Sequence, residues 1–286
     1  MLSHPFRLNL PEPATSCAVF CTAHSGSEFP AEFIESSLLS KSELRTSEDA
    51  FVDRMIDSAP DMGAPVLAAN FSRAYIDLNR SASDLDPALI CGLPRRKLNQ
   101  RVAVGLGVLP RVVADGMKIH RGKITLNAAQ QRLLQHYHPF HNTLAQLILE
   151  QKQRFGICVL FDFHSMPHNA VKSNIKSSDQ LPEIILGDRF GLSCDRWVAD
   201  GVESAFQAEG FNVVRNVPFA GGYITQHYGQ PKNHIHAIQI EIDRSLYMDE
   251  QKICPLPDFD RFRMRIIKVI ENIAVLGPRV QKIAAE

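Results

Sequence analysis

Short, uniformly apolar runs alternate along the chain with segments in which apolar residues recur at helical spacing, the signature of an α/β domain. Cys17–Thr22 (CAVFCT) reads as a buried strand broken off by AHSG, so that His24 stands at its carboxyl end. Pro65–Ala69 predicts a second buried strand, and Ile157–Phe163 (ICVLFDF) predicts the strongest one, running straight into His164. Asn212–Asn216 predicts a short strand. Ala237–Ile242 (AIQIEI) alternates strictly, which puts Gln239, Glu241 and Asp243 on one face and Ile238, Ile240 and Ile242 on the other. Helical spacing covers Asp49–Met62, closed by Gly63, then Leu126–Phe155, interrupted by Pro139 and stopped by Gly156, then Asp195–Glu209 and Asp258 to about Ile283. Apolar strands separated by helices predict a largely parallel central sheet covered on both faces. No stretch reads as a linker, so residues 1–286 are expected to form one domain with residues 1–15 as an N-terminal extension. The polar loops Leu85–Arg101 and Pro167–Pro182 are expected to shape or cover a site.

Composition narrows the class. A chain of 286 residues with 45% hydrophobic and 22% charged positions has ample material for a packed core and is too apolar for disorder. Lys+Arg 31 balances Asp+Glu 31, so no excess positive field points to nucleic acid or an acidic membrane surface. No apolar run approaches the roughly 18 residues of a membrane span. The opening MLSHPFRLNLPEPATS holds an Arg, a Glu and three Pro where a signal peptide needs an unbroken apolar stretch, so the expected location is cytoplasmic. The six cysteines are scattered and lack CxxC spacing, which predicts reduced core thiols.

In α/β sheets ligands bind beyond the carboxyl ends of the strands, and two histidines, His24 and His164, stand at such ends, each followed by a serine. Each alone reads as a satisfied structural residue; as a pair they read equally well as metal ligands that need a carboxylate as third partner. Glu28, Asp49 and Asp53 all lie near enough in sequence to supply it, and spacing does not choose among them. A His₂–carboxylate set leaves a position for water, whose pKa zinc lowers to about 7, and such chemistry also needs a base. Glu241 is the candidate base, unless its strand is an edge with a solvated polar face. NFSRAYIDLNR brings Asn70, Arg73 and Arg80 directly after a buried strand, either as a receptor for carboxylates or as a salt-bridge cluster on Asp77. Arg54 and Arg111 are weaker candidates of the same kind, and His227 is a candidate donor to a substrate. His136, His138 and His141 on the long helix read as structural, and His234 and His236 as loop and strand-entry residues. The full GxGxxG and GxSxG patterns are absent, which disfavours a dinucleotide site and a serine hydrolase.

Taken in order, AHSGSEFP, DAFVDRMID, VLAANFSRAYIDLNR, HPFHNTLAQL, LFDFHSMP, LGDRFGLSCD and GGYITQHYGQPKNHIHAIQIEIDRSLYMDE resemble the N-formylglutamate amidohydrolase (N-formylglutamate deformylase) family from about residue 17 to 275. The resemblance implies a three-layer α/β/α fold with a mixed sheet of eight or so strands, akin to the zinc carboxypeptidases and aminoacylases and phosphorylase/hydrolase-like. It implies a zinc-dependent hydrolase, or one using another divalent metal, that cleaves N-formyl-L-glutamate to formate and glutamate in histidine breakdown, with a small N-acyl amino acid as its partner. On the matching positions His24, Asp49 and His164 are implied as metal ligands and Glu241 as the general base for attack by a zinc-activated water. Asn70, Arg73 and Arg80 are implied as receptors of the substrate's carboxylates, with Arg73 or Arg54 at the tetrahedral oxyanion. Ala23 stands where family members often carry Pro, and Gly92–Val113 departs from the family's Tyr- and Phe-rich stretch, so this segment is expected to shape the substrate pocket. Two alternatives stand beside this reading: a zinc amidase for another N-acyl amino acid or peptide amide, and a non-catalytic carboxylate-binding protein of the same fold.

Overall fold

The computed structural model describes residues 4–94, 97–113, 116–172 and 181–277. A seven-stranded mixed sheet is built from β1 (Phe6–Asn9), β2 (Ala18–Thr22), β3 (Val66–Ala69), β4 (Cys158–Met166), β5 (Ile184–Gly187), β6 (Val213–Arg215) and β7 (Ile235–Asp243), in the order β1-β3-β2-β4-β7-β5-β6. The four central strands β3, β2, β4 and β7 are parallel, while β1 and β5 run antiparallel to their neighbours β3 and β7. The three-layer expectation holds, with seven strands in the sheet among the described residues where eight or so were expected.

Alternation along the central strands explains both layers and the placement of polar groups. Phe20, Phe161, Phe163, Ile238, Ile240 and Ile242 face one side, where the helices Arg196–Ala208 and Phe259–Ile273 cover them with Val198, Val202, Phe206, Ile266 and Ile270. Phe20 packs on Phe161 and Phe163 with ring centroids 5.0 and 5.9 Å apart. Val19, Cys21, Leu160 and Ala237 face the other side, against Phe140, Leu144 and Ile148 of the helix His138–Phe155. On that second face the sequence turns polar toward the strand ends: Leu160 is followed by Asp162 and His164, and Ala237 by Gln239 and Glu241. The helix covers the apolar half and leaves the polar half to line a cleft.

Several boundaries differ from the pattern reading, each for a local reason. β7 lies between β4 and β5 and is buried throughout, so its polar face is not that of an edge strand. β4 continues through Met166, which puts His164 inside the strand and on the same side as Asp162. β1 and β5 were not anticipated: each has four residues, and Phe6–Asn9 lies within the stretch expected to be an N-terminal extension, where it pairs with β3. The Asp49–Met62 segment has helical turns at Val52–Ile56 and Ala59–Met62, the second with Pro60 in its first turn, and Gly63 ends it in the left-handed region (φ 79°). Before Pro139 the chain makes a wide π-helical turn over Leu133–Tyr137, with His138 N–H reaching back to the Leu133 carbonyl. The final helix ends at Ile273, ahead of Gly277 (φ 110°); the expected continuation over residues 278–283 lies outside the described residues, as does 173–180 of the Pro167–Pro182 loop. No helix among the described residues is long and apolar enough to cross a membrane.

Phe161 is fully buried where β4 meets the helix layer. Phe161→Ala is expected to lower stability by about 3–5 kcal/mol, read from the midpoint of guanidinium unfolding at constant slope.

Candidate active site

His24 stands two residues beyond β2, and a backbone hydrogen bond from Asp49 N–H to the His24 carbonyl (3.0 Å) pins the start of the next helical segment beside it. Asp49 Oδ2 then lies 3.5 Å from His24 Nδ1 and 2.9 Å from His164 Nδ1, with one donor atom of each residue within 4.8 Å of the others. All three residues are buried. The far side of each imidazole is backed by a carboxylate: His24 Nε2 donates to Asp77 Oδ1 (2.7 Å), and Asp162 Oδ1 lies 3.0 Å from His164 Nε2. Arg244 Nη2 donates to the second oxygen of Asp49, Oδ1, at 2.9 Å.

Asp77 and Asn79 are carried on an irregular loop that His141 holds from behind. Burial pushes His141 down to about 4, so it is neutral at pH 7; its Nε2–H donates to the Leu78 carbonyl (2.9 Å) while Nδ1 accepts from Tyr228 Oη (2.9 Å). Asp77 Oδ1 also accepts from Asn79 N–H (2.9 Å), and its Oδ2 accepts from Arg73 (2.9 Å) with Arg80 Nη2 at 3.9 Å. The salt-bridge cluster considered for this motif therefore forms, and the same Asp77 orients His24.

The electrostatics follow from these contacts. Burial alone would raise Asp49, but hydrogen bonds from His164 and His24 outweigh it and hold the carboxyl well below its ordinary range. Burial would likewise raise Asp77, and the charges of Arg73, His24 and Arg80 reverse the effect. His164 goes well above its ordinary value because the charge and hydrogen bonding of Asp162, with Asp49, overcome burial. Glu241 has the opposite balance: burial, opposed by His164 and Arg73 and reinforced by Asp49 and Asp162, pushes it up to about 7.

Glu241 is paired in register with His164 across the β4–β7 ladder and faces the same cleft. Gln239 Nε2 donates to Glu241 Oε1 (2.6 Å), and Gln239 Oε1 accepts from Gly222 N–H (2.7 Å). Gly222 permits this approach because a Cβ there would fall 2.4 Å from Asn79 Nδ2. The cleft encloses about 500 Å³. Its floor is His24, Asp49, Asp77, His164 and Glu241; one wall is Arg101, Val104, Leu106, Pro110, Val112 and Val113, and another is Pro218–Gly222. The segment expected to shape the pocket does line it.

This donor set suits a divalent metal ion. His24 Nδ1 is buried without a hydrogen-bond partner, His164 Nδ1 and Asp49 Oδ2 converge with it, and carboxylates behind both rings fix the orientation that a metal-binding histidine requires.

Of the residues singled out from sequence, His24, Asp49, His164, Glu241, Arg73 and Arg80 come together in the cleft. Glu28 is exposed and Asp53 pairs with Arg7 at 3.1 Å, which leaves Asp49 as the carboxylate between the histidines. Four others are not among the lining residues. Asn70 turns its amide to the His4 carbonyl, Arg54 stacks over Phe259 (4.6 Å), Arg111 bonds Asp86 (2.9 Å), and His227 is exposed and stacked on Tyr223 (5.0 Å). Sequence reading missed Asp162 and Asn79 and gave Asp77 only a salt-bridge role, although Asp162 is two residues before His164 on a strand and so necessarily shares its face. Arg101 and Arg244 were also missed, and Arg244 reaches Asp49 from 195 positions away, beyond any local signal.

Comparison with known proteins gives a consistent picture. The family model described as N-formylglutamate amidohydrolase matches residues 16–248. An N-formylglutamate deformylase of Pseudomonas aeruginosa is 32% identical over 252 residues, covering 86% of this chain and 83% of the relative. One of Pseudomonas putida is 31% identical over 225 residues, covering 77% and 78%. The crystal structure of N-formylglutamate amidohydrolase from Ralstonia eutropha superposes with a TM-score of 0.89 at 33% identity, covering 95% of this chain and 98% of that one. An Agrobacterium tumefaciens protein shares the fold at 16% identity, with a TM-score of 0.63.

The carboxylate behind His24 generates a test. Asp77→Asn keeps the shape of the side chain and removes its charge, and is expected to weaken divalent-metal affinity about 10- to 100-fold, measured by competition with a chromophoric chelator.

Proposed function

The chain belongs to the N-formylglutamate amidohydrolase family, and from that premise we propose that it hydrolyses N-formyl-L-glutamate to formate and L-glutamate with zinc on His24, Asp49 and His164, as a cytoplasmic step of histidine breakdown. The observation that carries this reading is the buried His24–Asp49–His164 convergence with Glu241 opposite His164 on the neighbouring strand. A zinc ion held by these residues supplies Lewis acidity and brings the pKa of water toward 7.

The protein's own groups divide the remaining work. Glu241 accepts a proton from the attacking water, whose oxygen bonds to the formyl carbon, and returns that proton to the glutamate nitrogen as the C–N bond breaks. Its raised proton affinity suits both halves of the exchange, and the Gln239 amide at 2.6 Å keeps one carboxylate oxygen fixed while the other acts. Arg73, half-buried and held from one side by Asp77, offers positive charge to the oxygen that becomes negative in the tetrahedral state. Arg80 supports the wall, with its guanidinium given to the Leu106 and Asn79 carbonyls. A largely buried floor limits the competing solvent around the reacting carbon.

Formate release from N-formyl-L-glutamate is expected to be abolished by chelator and restored by added zinc. Folded, zinc-loaded protein without turnover would redirect the reading to another N-acyl amino acid. Glu241→Gln is expected to retain zinc while losing roughly 10²- to 10⁴-fold in kcat. A base must be ionised to act, so kcat/KM is expected to be present above the Glu241 pKa and to fall as pH drops through it, followed by a pH–rate profile on the zinc-loaded enzyme.

A further inference from the structure

Four guanidinium groups line the cleft, and they differ in what already occupies them. Arg244 is fully committed, to Ser165 Oγ (3.2 Å), the Thr46 carbonyl (3.2 Å) and Asp49 Oδ1 (2.9 Å). Arg80 donates to the Leu106 and Asn79 carbonyls at 3.0 and 2.7 Å and has Asp77 3.9 Å from its remaining nitrogen. Arg73 donates to Asp77 at 2.9 Å. Arg101, on the short helix Gln100–Ala103, is exposed, and among the described residues nothing accepts a hydrogen bond from its side chain.

The main chain under Arg101 is, by contrast, fixed. Its carbonyl accepts from Leu106 N–H at 2.8 Å, and the Leu106 carbonyl in turn holds Arg80. The helix is capped by Asn99, which accepts from Val102 N–H at 2.9 Å and donates to Asp84 at 2.7 Å. Burial, together with the charges of Arg73 and Arg101, lowers the Arg80 guanidinium below its ordinary value against the pull of Asp77, so the charge of Arg101 is felt at this wall. A long cation on an anchored backbone, beside cations already occupied, is a receptor for an anion that the substrate brings.

We propose that Arg101 is a specificity-determining residue that receives the side-chain carboxylate of the substrate. This rests on the N-formylglutamate reading above. The formyl carbon must reach Glu241 and the histidine–aspartate floor. The α-carboxylate, one carbon from the amide nitrogen, then stays near that floor and Arg73. The side-chain carboxylate, two methylenes beyond Cα, is the group able to extend toward the exposed wall where Arg101 sits.

The test compares zinc-loaded wild type, Arg101→Ala and Arg101→Lys on N-formyl-L-glutamate and on its neutral isostere N-formyl-L-glutamine. Arg101 is exposed and alanine suits a helix, so the variant is expected to fold as wild type. Arg101→Ala should raise KM for the glutamate substrate roughly 10- to 100-fold more than for the glutamine one, with kcat changing less than KM and Arg101→Lys recovering part of the loss. Equal shifts on both substrates overturn the proposal. If wild type lacks turnover, the functional reading fails separately, and the proposal is judged by calorimetric binding of N-formyl-L-glutamate. A Kd that weakens by the same factor in Arg101→Ala supports it, and an unchanged Kd overturns it.

Discussion

Asp49 is a buried carboxylate compensated from three directions, and the rest of the site is arranged around that compensation. One oxygen faces both imidazoles and the other accepts from Arg244 at 2.9 Å. Behind the imidazoles stand two further buried acids, Asp77 and Asp162, and beside them Glu241. A buried ion that loses its partner costs about 3–5 kcal/mol, so the acids held ionised on this sheet face have cations aimed at them, while Glu241, bonded by the neutral Gln239 amide, is pushed up to about 7. Arg73 and Arg80 answer Asp77, and Arg244 answers Asp49. His24, Asp49 and His164 could hold a divalent ion, which would add the largest positive charge of all at the point of greatest negative density.

The sheet makes this concentration possible without disturbing the core. Because side chains alternate along a strand, the Phe161 and Phe163 face of β4 packs against helices while Asp162 and His164 point the other way. Parallel register with β7 then sets Gln239 beside Asp162 and Glu241 beside His164. A slip of one residue would exchange isoleucines for acids on both faces, so the apolar core itself enforces the pairing that the chemistry requires.

Much of this was legible in the chain. The strands ending at His24 and His164 and the polar face of Glu241 are local signals, readable from apolar runs and alternation, whereas the wall segment Gly92–Val113 stood out only against the family it resembles. What escaped was set by direction or distance. Asn70 and Arg73 are close in sequence, yet the first turns to the His4 carbonyl and the second into the cleft, a choice made by the loop's path. Arg244 joins Asp49 only because β7 returns beside β4. The strands β1 and β5, four residues each, owe their existence to the neighbours they pair with more than to their own pattern.

The cleft's floor and wall differ in how the chain supplies them. His24, Asp49, Asp77, His164 and Glu241 come from widely separated segments, whereas Arg101 through Val113, one of the two walls, is a single stretch held by the Asp84 carbonyl, Asp86 and Arg80. On the proposed reading, the groups assigned to bond-breaking and the cation assigned to substrate choice therefore lie on separate pieces of chain. Because this wall is contiguous, a change in its sequence alters one side of the cleft while the floor residues, drawn from other segments, keep their places.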